Sequence, residues 1–126
     1  DSEGKEYKVL DVAKMKSGVA PDIVHSLDAS LIQAVALRCK QEGIDHLLMI
    51  HDSLGAHCCY TRRFNRIIRE EFIKMFETDI LQNLYEGFKG QLDEDQQNLL
   101  LSPEQFGIKY GDYDLQEMLN SVHCFK

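Results

Sequence analysis

The residues best suited to chemistry gather in one stretch, Leu-Leu-Met-Ile-His-Asp-Ser-Leu-Gly-Ala-His-Cys, from Leu47 to Cys58. Four apolar residues lead straight into His51 and Asp52, an imidazole beside a carboxylate, and Gly55 follows three residues later. A carboxylate mounted at a turn after a buried strand is a good metal ligand. The strand fixes the backbone, and hard divalent cations take anionic oxygen donors. A second pair, His25 and Asp28, shares a helical stripe with Ile32, at spacings of three and four. Both groups also have plainer readings. Asp, Ser and Gly are ordinary turn residues, and a His and an Asp on one exposed helical stripe are usually just solvated.

The elements that must position these residues read as follows. Leu47–Ile50 and Ala56–Cys59, on either side of a polar, glycine-containing turn, predict an antiparallel β-hairpin with Asp52 at the turn. The unbroken apolar run of Leu47–Ile50 predicts a strand covered on both faces. Ahead of it, residues 1–16 mix charges of both signs and read as a solvated arm or weak strand, and Ser17-Gly18 reads as a break. Within segment 17–43, Val19-Ala20-Pro21-Asp22 opens a helix, with Pro21 at its first position. The helix runs to Glu42 and is capped by Gly43. Its core stripe is Val24, Leu27, Leu31 and Ala34 or Val35, continued by the stem of Arg38.

After the hairpin segment 44–60, two helices occupy 61–92. The first starts at Thr61 as N-cap and carries Phe64, Ile67, Ile68, Phe72, Met75 and Phe76 on its apolar face. Its outer face holds Arg62, Arg63, Arg66 and Arg69, then Glu70 and Glu71; this face either meets phosphates or pairs internally in the manner of Arg66–Glu70. Thr78-Asp79 caps the second helix, with Ile80, Leu81, Leu84, Phe88 and Leu92 on one side. The remainder, 93–126, opens on the acidic, loop-like Asp93-Glu94-Asp95, which is not read as a metal cluster. Ser102-Pro103-Glu104 opens one helical turn, and Asp114 caps a short helix over Leu115–Leu119.

The 126 residues are enough for one domain with a core, and 44% apolar with 28% charged residues is a globular composition. No apolar run approaches the length of a membrane span, and no signal peptide pattern opens the chain. Cys39, Cys58, Cys59 and Cys124 show no Cys-x-x-Cys spacing and read as reduced thiols; Cys58 and Cys59, as strand neighbours, would point to opposite faces. A net charge of −7 argues against a free-standing nucleic-acid-binding domain. It leaves room for a catalytic piece that holds metal ions while other parts of a larger protein bind phosphates. A chain that starts on Asp1 without a start-like pattern reads as part of something longer.

Two blocks together resemble the single-subunit DNA-directed RNA polymerases of bacteriophages and mitochondria. One is Gly18-Val-Ala-Pro-Asp-Ile-Val-His-Ser-Leu-Asp-Ala-Ser30, and the other is Ile50-His-Asp-Ser-Leu-Gly-Ala-His57. Arg69-Glu70-Glu71-Phe72 and Gly111-Asp-Tyr-Asp-Leu115 add to the likeness, which runs from about residue 16 to the end. The resemblance implies an α+β fold: a mostly helical piece of a right-hand polymerase palm, with a β-hairpin carrying the metal aspartate. It implies that Asp52 is a catalytic ligand of two Mg2+ ions and that His51 approaches the primer or initiating nucleotide. It also implies that His25 and Ser26 lie along the nucleic acid in the active-site groove. The implied partners are a DNA template, the RNA product, nucleoside triphosphates and the remainder of the polymerase chain, with no membrane. The implied setting is the cytoplasm of an infected bacterial host, or alternatively a mitochondrion.

The sequence departs from the family where Leu54 stands in place of an aromatic and where Lys126 follows Phe125. The family's partner metal aspartate and its nucleotide-gripping Lys and Tyr belong to motifs absent from these residues. The fragment alone is therefore expected to be inactive. Three alternatives remain. A DNA polymerase of the related right-hand fold typically carries Glu after the Asp, where Ser53 stands. A His-Asp metal phosphohydrolase needs its pair on a helix. A non-catalytic interaction domain would keep the fold only.

Overall fold

The computed structural model describes residues 11–50 and 53–122. Its elements are α1 (Val12–Gln41), β1 (Leu47–Ile50), β2 (Ser53–Ala56), α2 (Thr61–Phe76), α3 (Ile80–Lys89) and α4 (Glu94–Gln97). A 3-10 turn at Cys58–Tyr60 precedes α2, and a 3-10 helix at Leu115–Leu119 follows α4. The fold is mostly helical with one two-stranded antiparallel sheet, consistent with the α+β expectation. The chain divides into two units, residues 1–57 and 58–126.

In the first unit α1 begins earlier than the sequence predicts. Asp11 is the N-cap, and its Oδ1 accepts from the backbone N–H groups of Ala13 and Lys14 at 3.1 and 3.2 Å. Residues 12–16 are therefore helix rather than arm or strand, while residues 1–10 of the predicted arm lie outside the described residues. Ser17-Gly18 does not break the helix: a mid-helix glycine weakens it by about 1 kcal/mol, and a well-capped start continues through it. Pro21 accordingly lies inside the helix, where it withholds one backbone donor.

The C-terminal end agrees with the expectation. Glu42 is the C-cap residue and Gly43 follows it at φ 76°. The Gly43 N–H donates to the Lys40 carbonyl at 3.1 Å and the Ile44 N–H to the Cys39 carbonyl at 2.8 Å, the paired bonds of a Schellman end. The buried stripe differs from the predicted one. Val24 is 57% exposed and Leu27 and Leu31 are half-buried, whereas Val35, Cys39 and Ile44 are fully buried.

The hairpin forms, but with a different second strand. β1 pairs with β2 in the register Leu47↔Ala56, Leu48↔Gly55, Met49↔Leu54 and Ile50↔Ser53. The second strand thus begins three residues before the predicted Ala56, and Gly55 is a strand residue rather than part of the turn. Among the described residues neither face is fully closed. Leu47 and Met49 are half-buried, while Leu48 and Ile50 are 63% and 56% exposed, so the predicted two-sided cover is absent among the described residues. Cys58 and Cys59 belong to the 3-10 turn, so their predicted alternation on a strand does not hold.

In the second unit, α2 buries Phe64, Ile67, Ile68 and Ile73 and packs against the Leu115–Leu119 helix. Its cap is Tyr60 rather than Thr61, whose hydroxyl instead donates to the Cys58 carbonyl at 2.9 Å. Phe76, expected in the core, is 38% exposed, though its ring stacks on Phe72 at 4.4 Å. Glu71, expected on the outer face, is buried, with Lys74 Nζ 3.9 Å from its carboxylate. Asp79 caps α3 as predicted, accepting from the Gln82 N–H at 2.9 Å. Phe88 is exposed, and Leu92 lies beyond the helix end.

The acidic run 93–95 is no loop. Asp93 starts α4, and its N–H is reached by Gln96 Oε1 at 3.4 Å. Ser102–Phe106 forms one hydrogen-bonded turn, closed by Phe106 N–H to the Ser102 carbonyl at 3.3 Å. Asp114 caps Leu115–Leu119 as expected, accepting from the Gln116 N–H at 2.9 Å. The end of the C-terminal segment, residues 123–126, lies outside the described residues.

Candidate functional site

Strands β1 and β2 bracket His51 and Asp52 from both sides. Ile50 and Ser53 are the last paired residues, and the two residues between them lie outside the described residues. The apolar run that forms β1 therefore leads directly into that pair.

Pairing sorts the hairpin side chains into two faces, because cross-strand partners share a face. Leu47, Met49, Leu54 and Ala56 form one apolar face, and Leu48, Ile50, Ser53 and Gly55 form the other. Leu54, where the resemblance leads one to expect an aromatic, stands half-buried opposite Met49. Gly55 makes a close approach to its partner: a Cβ built there would lie 3.5 Å from Leu48 Cβ.

A cleft of about 470 Å³ lies at the opposite, open end of the hairpin, lined by Asp45, His46, Leu47, Leu48, Gly55, Ala56 and His57. It is separated from the His51–Asp52 end by the length of the strands, roughly 10 Å at about 3.4 Å per residue. Sequence reasoning passed over Asp45 and His46, which look like loop residues between a glycine cap and a strand.

His25 and Ser26 sit exposed on α1, with Asp28 on the same helix. The Ser26 carbonyl accepts a second hydrogen bond, from the Ser30 hydroxyl at 2.8 Å. Among the described residues α1 and the hairpin share no extended packed face, so the structure does not gather His25 and Ser26 into one cluster with the hairpin residues. Nor, among the described residues, do three or more His, Cys, Asp or Glu side chains group so as to hold a metal ion. Cys39 is no candidate nucleophile: burial, reinforced by the nearby Glu42 charge, pushes its thiol pKa up.

The second unit holds features that sequence reasoning missed. The Tyr110 hydroxyl hydrogen-bonds Asp79 at the rim of a pocket of about 520 Å³, with Phe72, Phe76, Tyr113 and Leu115 among its lining residues. On α2, Arg66 Nε lies 3.5 Å from Glu70, the expected internal pair. Arg69 instead donates Nη1 to the Leu119 carbonyl at 2.9 Å. No spacing in the sequence signals either long-range contact.

Comparison with known proteins resolves the class. The profile of the DNA-dependent RNA polymerase family matches residues 2–122.

The chain belongs to the DNA-dependent RNA polymerase family.

Among its polymerase relatives, the mitochondrial DNA-directed RNA polymerase 1B of Nicotiana tabacum is 35% identical over 121 residues, 96% of this chain and 11% of the relative. The chloroplastic DNA-directed RNA polymerase 3 of Nicotiana sylvestris is 33% identical over 96% of this chain and 12% of the relative. DNA-directed RNA polymerase 1A of N. tabacum is 34% identical, and the match covers 73% of that shorter protein. The chain thus spans about a tenth of the length of its long organellar relatives. No solved structure matches it. Among the described residues no helix is long and apolar enough to cross a membrane.

Proposed function

We propose that this polymerase-family chain is the C-terminal palm piece of a DNA-directed RNA polymerase, which copies a DNA template into RNA from nucleoside triphosphates. The observation that supports the reading is the hairpin register: β1 ends at Ile50 and β2 begins at Ser53, the residues on either side of His51 and Asp52 in the chain. Asp52 then supplies one carboxylate to a Mg2+ site. Mg2+ held there would supply the Lewis acidity that polarises the reacting oxygens of nucleotidyl transfer. A single carboxylate does not suffice for two magnesium ions, and the described residues offer no cluster to complete the set. The other ligands must come from other parts of the polymerase. His51 faces the primer terminus or initiating nucleotide in this reading, and His25 and Ser26, exposed on α1, lie along the nucleic acid. The organellar relatives support a mitochondrial or chloroplast setting; none of those cited supports the cytoplasm of an infected bacterium.

The test is Asp52→Asn in the full polymerase, read as single-nucleotide extension on a preformed RNA–DNA scaffold. Asn keeps the shape and removes the charge. Extension should fall roughly a thousandfold, about 4 kcal/mol at about 1.4 kcal/mol per tenfold. If Asp52 were only a turn residue, Asn would be among its best replacements. Extension within a few-fold of the parent would therefore overturn the assignment.

A further inference from the structure

Arg62, Asn65, Arg66 and Arg69 recur at helical spacing along one stripe of α2. With Glu70 and Leu119 they line an open cleft of about 330 Å³. The stripe carries three cations against one carboxylate, Glu70, which already pairs with Arg66 at 3.5 Å, on a chain whose net charge is −7. Like charges three and four residues apart oppose the helix that carries them. An anion seated in the cleft would offset the positive charge that Glu70 leaves over. The cleft is also braced: the Arg69 guanidinium is held by the Leu119 carbonyl at 2.9 Å, and its Nε is buried without a hydrogen-bond partner.

We propose that Arg62, Asn65, Arg66 and Arg69 hold the phosphodiester backbone of a nucleic-acid strand. The identity of the ligand rests on the polymerase reading; the affinity for phosphate rests on the cleft itself. Guanidinium forks match pairs of phosphate oxygens, and an amide N–H adds a neutral donor. From residue 62 to residue 69 the stripe spans about 10 Å at about 1.5 Å rise per residue, longer than one phosphate and suited to a repeating polyanion. With no groove-reading element in the cleft, the contact is independent of base sequence.

The experiment compares Arg62→Gln/Arg66→Gln with Arg62→Lys/Arg66→Lys in the full polymerase, leaving the bracing Arg69 intact. Equilibrium binding of RNA–DNA scaffolds of unrelated sequence is measured by fluorescence anisotropy across a salt series. The Gln pair should weaken binding about equally for all sequences. It should also flatten the slope of log K against log salt by about 1.5, since each lost phosphate contact removes about 0.7 to 0.9. The Lys pair should keep most of the slope. An unchanged slope in the Gln pair, or a Lys pair as weak as the Gln pair, overturns the proposal. So does a loss seen only with inorganic pyrophosphate, which would reassign the cleft to a free anion. Extension by the parent enzyme reports separately on the polymerase reading, because the salt slope is read without any chemistry.

Discussion

The hydroxyl of Tyr110 donates to Asp79 Oδ1 at 2.5 Å, a contact that closes 31 residues of chain. The same carboxylate caps α3 by accepting from the Gln82 N–H at 2.9 Å. One side chain therefore both starts a helix and ties down the connection that leads to Leu115–Leu119. A second tie runs beside it, from Gln116 Nε2 to Glu77 Oε1 at 2.7 Å. Glu77, Asp79 and Tyr110 all line the aromatic pocket.

That contact gives a pH signature. The Tyr110 hydrogen bond, then the Gln82 N–H, hold the Asp79 carboxyl below the usual carboxylate range, and the Asp79 carboxylate holds the Tyr110 phenol above its ordinary value. A lowered acid stabilises the fold above its unfolded pKa and loses that effect as pH falls through the folded value. A raised phenol stabilises below its unfolded pKa and loses the effect as pH rises through the folded value. The tie is thus at full strength from about pH 4 to about pH 10. Tyr110→Phe should move the Asp79 carboxyl upward toward the ordinary range in a carboxyl-carbon NMR titration. An unmoved titration would mean that the Gln82 cap alone sets it.

Gly43→Ala isolates the cost of the α1 terminus. Gly43 has φ 76°, and a Cβ there meets nothing within 4 Å, so the penalty is backbone strain alone. The expected loss is about 1 kcal/mol, seen as roughly fivefold faster hydrogen exchange at the Gly43 and Ile44 amides, whose bonds close the Schellman end. Gly43→Asn should lose less, because Asn tolerates the left-handed region. Equal exchange in all three proteins would show that the end is held by packing of Ile44 instead.

Leu54→Phe tests the hairpin face next to the proposed metal aspartate. Leu54 stands half-buried opposite Met49, and a methionine–aromatic cross-strand pair is favourable. The substitution should leave single-nucleotide extension within a few-fold of the parent, in contrast to Asp52→Asn. A loss as deep as that of Asp52→Asn would mean that side-chain volume, not charge, limits the hairpin.

Sequence alone determined the features with a local cause. The short apolar run Leu47–Ile50, bounded by a turn signal, reads as a strand, and the apolar period of Phe64, Ile67 and Ile68 makes α2. Gly43 ends α1 because glycine suits a positive φ, and Asp79 and Asp114 cap because a short carboxylate reaches the next free N–H groups. The sequence offered His51 and Asp52 only as a candidate, raised above an ordinary turn by the family resemblance, and both lie outside the described residues.

Tertiary structure decided whatever depends on which groups meet. Ser53–Ala56 carries little strand signal of its own and becomes β2 only by pairing with β1, so its register could not be read from composition. Helical periodicity says which residues share a stripe but not how far a neighbour covers it. Hence Val24 is exposed and Cys39 buried on the same helix, and Glu71 is buried one position from the half-buried Glu70. Arg69 with Leu119 and Tyr110 with Asp79 join residues 50 and 31 positions apart. Such contacts are fixed by packing and chain closure, and no local propensity encodes them.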